Sequence, residues 1–314
     1  MDINHYIKQK KELCEVIYRF IDEKIDFEDL KTYILSTKVV TNVAELKSFF
    51  RFLGIIANNH KRNHFFLSKI KEIIVFFKDK IKQMINIYDI LDVFKQNKNI
   101  ILYLLESEII TAEDFTNVID DSISIEYKCF FYPEIKDYVN SSDKIAIEQK
   151  LSELDSDTLN NFKNIRQFGE NHHYICSLIR SDLISDFVFY LTLNDISPTE
   201  ISIKPSIFET NSFLIENKNI TPIEYASFFG SKKIFQYLKK KGIPIKRSLL
   251  KYAIHSGDCR LIRMIEDDLT DVQEYEKNNE TFFVESVKCH HNEIADYMSY
   301  KIDENKRLCL SFEF

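Results

Sequence analysis

Residues 221–245, TPIEYASFFGSKKIFQYLKKKGIPI, read as two short helices joined by a tight turn. Thr221 precedes Pro222, and proline is tolerated in a first helical turn because the N–H it lacks has no intrahelical partner there. Ala226 is small enough for a second helix to approach closely. Gly230 suits the left-handed residue that ends a helix, Ile234 and Leu238 face inward from the second helix, and Gly242 turns the chain out of it. The unit recurs in 248–268, SLLKYAIHSGDCRLIRMIEDD, where Ser248, Ala253, Gly257, Leu261 and Ile265 take the same columns. It recurs again in 281–298, TFFVESVKCHHNEIADYM, with Thr281, Ser286, His290, Ile294 and Met298. Two weaker copies are visible. Residues 174–191 put Phe187 and Leu191 in the two inward columns, with Leu183 in place of the glycine. Residues 86–105 place Val93, Ile101 and Leu105 in the Ala, Ile and Leu columns.

These columns resemble the ankyrin repeat, whose period of about 33 residues matches the spacing of Ala253 and Ser286. The phrases HYICSLIRSD, IKPSIFETNSFLI, IEYASFFGSKKIFQYLKKKG, LLKYAIHSGD and ESVKCHHNEIADYM together resemble a lineage-expanded family of ankyrin-like proteins from trichomonad-type parasitic protists. The resemblance covers about 165–300 and, more loosely, 85–165. It implies a helical N-terminal region over 1–165, an ankyrin-like solenoid over 166–302 and a tail over 303–314. It also implies recognition of a protein partner through a concave face. Carrying ankyrin's variable columns over places Lys218, Ile220, Phe228 and Phe229 beside Arg247, His255 and Ser256, then Glu280, Lys288 and Cys289. For Phe228 and Phe229 a core placement against the preceding copy is equally open. One departure stands out: the connection from Leu191 to Thr221 is long for an ankyrin array, and a short helix is expected at about Pro205 to Leu214.

Composition points to the same all-α class. Only 5 Gly and 5 Pro in 314 residues leave few of the tight turns that sheet folds need at most connections. From residue 3 to about 108 apolar residues recur at three and four, as in Leu46, Phe49, Phe50, Leu53 and Ile56. Breaks fall near Asp26, Asn42, Asn59 to Asn63, Asn86 and Asn97 to Asn99, whose short polar side chains can cap the helix that follows. Further on, Thr111 reads as a cap, the stretch around Pro133 as irregular, 143–154 as a charged helix and 152–164 as a polar linker.

The chain carries 42 Lys and Arg against 49 Asp and Glu, a net charge of −7, which argues against a general nucleic-acid binder. Its longest purely apolar run, Ile73 to Phe77, is far short of the ~20 residues of a membrane span. No secretion signal is visible, so a cytoplasmic location is expected, with a nuclear one open. The six cysteines, at 14, 129, 176, 259, 289 and 309, form no framework and are expected as reduced thiols.

Candidate chemistry is sparse. Cys289-His290-His291 and His172-His173 carry zinc-type donors, but neighbours on a helix point about 100° apart and do not converge on one ion. No metal site and no cofactor is expected. His255 could pair with Asp258 or Cys259, yet no hydrolase or kinase signature and no nucleotide-binding loop accompanies it. The basic run Lys239-Lys240-Lys241 reads as the solvated end of a helix, favoured there by the helix dipole. The sequence is thus read as a non-enzymatic protein-interaction module, with no small-molecule substrate, nucleic acid or membrane as partner. A host-interacting or ubiquitin-pathway adaptor is the alternative reading, and an unrecognised hydrolase the third.

Overall fold

The computed structural model describes residues 3–59, 66–119, 123–217, 219–269 and 279–302, all of them helix, turn or loop without a strand. Lys218, Cys309 and the 303–314 tail lie outside the described residues. No described helix is long and apolar enough to cross a membrane. The chain divides into two compact units, 1–57 with 62–159, and 58–61 with 160–314.

The first unit contains α1 (Ile3–Ile21), α2 (Phe27–Ser36), α3 (Val43–Asn59), α4 (Phe66–Phe76), α5 (Lys78–Met84), α6 (Ile87–Phe94), α7 (Lys98–Glu106), α8 (Ala112–Val118), α9 (Ile125–Ile135), α10 (Ser141–Leu151) and α11 (Ser156–Asn160). Short polar side chains start many of them. Asp26, Asn86, Thr111, Ser124 and Asn140 each accept a backbone N–H of the first turn, satisfying one of its orphan donors. The core is phenylalanine-rich: Phe77 lies 5.0 Å from Phe49 and 5.5 Å from Phe50, ring centroid to centroid. Pro133 lies inside α9 and does not interrupt it. It comes late in the helix, and the full burial of Phe130, Phe131 and Ile135 offsets the backbone bond it removes. The 86–105 unit is α6 followed by α7, but no residue of its turn takes a positive φ, so its turn differs from those described next.

The second unit continues with α12 (Phe162–Phe168) and then α13 (Tyr174–Arg180), α14 (Ile184–Leu193), α15 (Ser212–Glu216), α16 (Pro222–Phe229), α17 (Lys232–Lys240), α18 (Leu249–Ser256), α19 (Cys259–Asp267), α20 (Asn279–Lys288) and α21 (Asn292–Ser299). Four helix pairs stand out: α13 with α14, α16 with α17, α18 with α19, and α20 with α21. The first helices pack side by side in chain order, α13 on α16, α16 on α18 and α18 on α20. Ala226 and Ala253 are completely buried at these contacts, as is Ser286 in the same column. The Thr221–Glu224 capping box starts α16, its hydroxyl and carboxylate each accepting the other's backbone N–H.

The turns of the four pairs share one geometry and stack on each other. Asp182, Gly230, Gly257 and His290 all have φ between 50° and 72°. In three of them the next N–H reaches back to close the helix end: Leu183 to Leu178 O, Ser231 to Ala226 O and His291 to Ser286 O. The left-handed residue of the first pair is therefore Asp182 and not Leu183, which shifts the sequence register there by one and puts Leu178 in the alanine column. Along the stack, the Asp182 carboxylate accepts from the N–H of Lys233 and Ile234 at 3.1 and 3.0 Å, capping α17 from the preceding turn. Lys232 pairs with Asp258 at 2.8 Å. A Cβ at Gly230 would lie 3.3 Å from that of Ser256, and one at Gly257 would meet the His291 ring at 2.7 Å. The second helices are joined too, by Lys239 to Asp268 (2.7 Å) and Tyr297 to Glu266 (2.6 Å).

Candidate functional site

The long connection between α14 and α16 is anchored at a buried carboxylate. Glu209 accepts the backbone N–H groups of Asn171 (3.2 Å), Thr210 (3.0 Å) and Asn211 (2.9 Å). Thr210 donates through both its N–H and its hydroxyl to Gly169 O, and His172 Nδ1 lies 2.8 Å from Ser206 Oγ. The His172-His173 pair thus serves this anchorage, with His172 also packed edge-on against Phe208. Asn211 then caps α15 by accepting the N–H of Leu214. The expected helix is present but begins at Ser212 rather than near Pro205, because Pro205 to Thr210 are committed to the anchor.

Anchored in this way, α15 lays Phe213 on the first-helix stack. Its ring lies 4.2 Å from His255 and 5.1 Å from Tyr252, and Phe228 stacks on His255 at 4.9 Å with 27° between the planes. His255 on α18 is only 4% exposed. Its Nδ1 lies 3.5 Å from Cys289 Sγ and its Nε2 lies 2.9 Å from Glu285 Oε1. Glu285 and Cys289 are four apart, and Cys289 N–H donates to Glu285 O, so one helical turn of the fourth pair presents both to the imidazole. The carboxylate contacts Nε2 without the alignment of a well-directed hydrogen bond.

Burial pushes the Glu285 carboxyl up, but His255, Lys288 and Lys251 outweigh it and hold the group below its usual 4.5. Burial drives the Cys289 thiol well above its usual value, so Cys289 is a protonated thiol and a poor nucleophile as it stands.

The face carried over from ankyrin columns is largely interior. Ile220, Arg247, His255, Ser256 and Cys289 are buried. Arg247 donates to Asn279 Oδ1 at 2.6 Å with its guanidinium over the Phe282 ring, and Ser256 donates to Ala253 O. Ile220 O accepts from Ile203 N–H, which ties the long connection to the start of α16. These five side chains are engaged inside the unit and not on an open face. Phe228 and Phe229 are half-buried and packed on the core, Phe229 against Tyr225 at 4.7 Å and 6.0 Å from the Arg180 guanidinium. Lys288 is half-buried, 4.0 Å from Glu285, and Glu280 is exposed. Lys218 lies outside the described residues. His255 contacts neither of the partners expected for it, Asp258 or Cys259, but Glu285 and Cys289 instead.

Exposed apolar side chains occur on other elements, and two of them pair on a second helix. On α14, Phe189 and Leu193 are 67% and 70% exposed and four residues apart, while Phe187 and Leu191 of the same helix are buried. Leu183 and Tyr174 of the same pair are also exposed. The repeat columns had placed Phe187 and Leu191 inward, as the structure does, but they did not mark Phe189 and Leu193 as an exposed apolar pair.

Searches of known protein families, curated proteins and solved structures find no significant match to the chain.

Proposed function

We propose that the second unit is an ankyrin-like repeat scaffold that binds a protein partner, and that the chain catalyses no reaction. The stacked turns at Asp182, Gly230, Gly257 and His290 support the repeat reading, since one turn geometry recurs at each pair and each turn contacts the next. The observation that carries the binding reading is the exposure of Phe189 and Leu193 on one face of α14. A phenylalanine and a leucine held side by side in water are costly unless a partner covers them, and aromatic anchors dominate the energy of protein interfaces. The partner presents a complementary apolar groove.

The test is capture of cross-linked partners from the native cell by the full chain and by the double variant Phe189→Ser/Leu193→Ser. Both side chains leave the core undisturbed, so the variant keeps its Tm and loses the partner. Capture of the same proteins at the same yield by both chains would overturn the reading.

A further inference from the structure

We propose that His255, Glu285 and Cys289 form a binding site for a divalent cation of the zinc class, held between the third and fourth helix pairs. The donors come from two separate elements, α18 and the end of α20, and one ligand atom from each can be chosen so that all three lie within 4.8 Å of one another. The 3.5 Å separation of Cys289 Sγ and His255 Nδ1 is the span of two ligands on a tetrahedral zinc, about 3.5 Å for bonds of about 2.3 and 2.0 Å. An ion takes one imidazole nitrogen. Binding therefore turns the ring or draws the Glu285 carboxylate from Nε2 toward the metal, which its flexible stem allows.

Charge selects the ion. A thiolate, a carboxylate and a neutral imidazole sum to −2, and a divalent cation leaves the buried site neutral, whereas a monovalent ion leaves an uncompensated charge. Sulfur and nitrogen donors disfavour magnesium and calcium, which take oxygen ligands, and suit zinc or cobalt. The buried His255 Nε2, which lacks a well-directed hydrogen bond in the free protein, marks the set as incompletely satisfied. The Phe213 and Phe228 rings wall the imidazole, so the fourth position falls to water or to an incoming ligand. On binding, the Cys289 S–H bond gives way to an S–metal bond and one proton is released to solvent. This reverses the expectation from sequence, which weighed the adjacent Cys289-His290-His291 and not donors brought together by neighbouring helix pairs.

The test is titration of the chelator-stripped full chain, without a histidine tag, with cobalt(II) alone, followed by displacement with zinc(II). One equivalent of cobalt should give a thiolate-to-cobalt charge-transfer band that zinc abolishes. Cys259→Ser, at an exposed cysteine outside the site, should keep the band, and Cys289→Ser should lose it. Glu285→Gln, which keeps the shape of the side chain, should weaken zinc binding at least ten-fold with an unchanged circular dichroism spectrum. Absence of the band in the wild-type chain would overturn the site, as would its survival in Cys289→Ser. Should that variant fail to fold, unaltered zinc affinity in Glu285→Gln overturns it equally.

Discussion

At the scale of single residues, two glycines of left-handed φ separate strain from crowding. Gly242 (φ 88°) has open space around its missing Cβ, so Gly242→Ala carries backbone strain alone, about 1 kcal/mol. Gly257 (φ 66°) has the His291 ring within 2.7 Å of that position, and Gly257→Ala should cost roughly 2–4 kcal/mol from strain and overpacking together. Urea denaturation of the two variants measures the difference, and equal costs would mean that the turns of the third and fourth pairs do not stack closely. Ala226→Leu and Ala253→Leu should each cost about 1–3 kcal/mol by overpacking the contacts of the first helices. The cysteines divide by exposure: burial pushes the Cys129 thiol up to about 11 and the Cys176 thiol up to about 12, while Cys259 is exposed. Timed alkylation of the native chain read by mass spectrometry should therefore label Cys259 first and Cys129, Cys176 and Cys289 only on unfolding.

At the scale of elements, Asp258 holds α19. Its carboxylate accepts the N–H of Arg260 and Leu261 and pairs with Lys232. Burial raises its pKa, but Lys232 and those N–H groups outweigh it and set the group below its usual 3.8. A lowered carboxylate contributes stability that is present above the unfolded value and lost as pH falls through the folded one. Asp258→Asn, which keeps a capping oxygen but no charge, should leave a shallower loss of stability below about pH 4. Asp258→Ala should cost about 1 kcal/mol at neutral pH, and matched acid titrations of the three chains check both. Glu209 acts similarly on the long connection. Glu209→Ala removes the acceptor of the Asn171 and Asn211 N–H groups and leaves Thr210 N–H only Gly169 O, and should cost about 1–3 kcal/mol and speed hydrogen exchange over 204–217 ahead of the rest of the unit.

The elements also show what the sequence could convey. Caps at Asp26, Asn86, Thr111 and Thr221 were legible because a capping side chain acts on a backbone N–H two or three residues away. Ala226 and Ala253 were legible because close helix approach demands a small residue at a fixed spacing. The Asp182 turn was not, since an aspartate takes the left-handed conformation without the compositional mark that glycine leaves. Nor was the cluster of His255, Glu285 and Cys289, which depends on how two helix pairs seat on each other and on Phe213 arriving from a long connection.

At the scale of the whole molecule, the second unit uses its first helices and turns for internal cohesion. Side chains that repeat alignment assigns to a recognition face (Arg247, His255, Ser256 and Cys289) are buried in the packing, while Phe189 and Leu193 on α14 are exposed together. The most direct test of that inversion compares Phe228→Ala with Phe189→Ala in the full chain, reading Tm and partner capture for each. Phe228→Ala should lower the Tm by removing a ring stacked on His255 and leave capture by the folded fraction intact, whereas Phe189→Ala should leave the Tm unchanged and weaken capture by about 1–3 kcal/mol. The opposite outcome, capture lost with Phe228 and untouched by Phe189, would contradict the account and return the recognition face to the first helices.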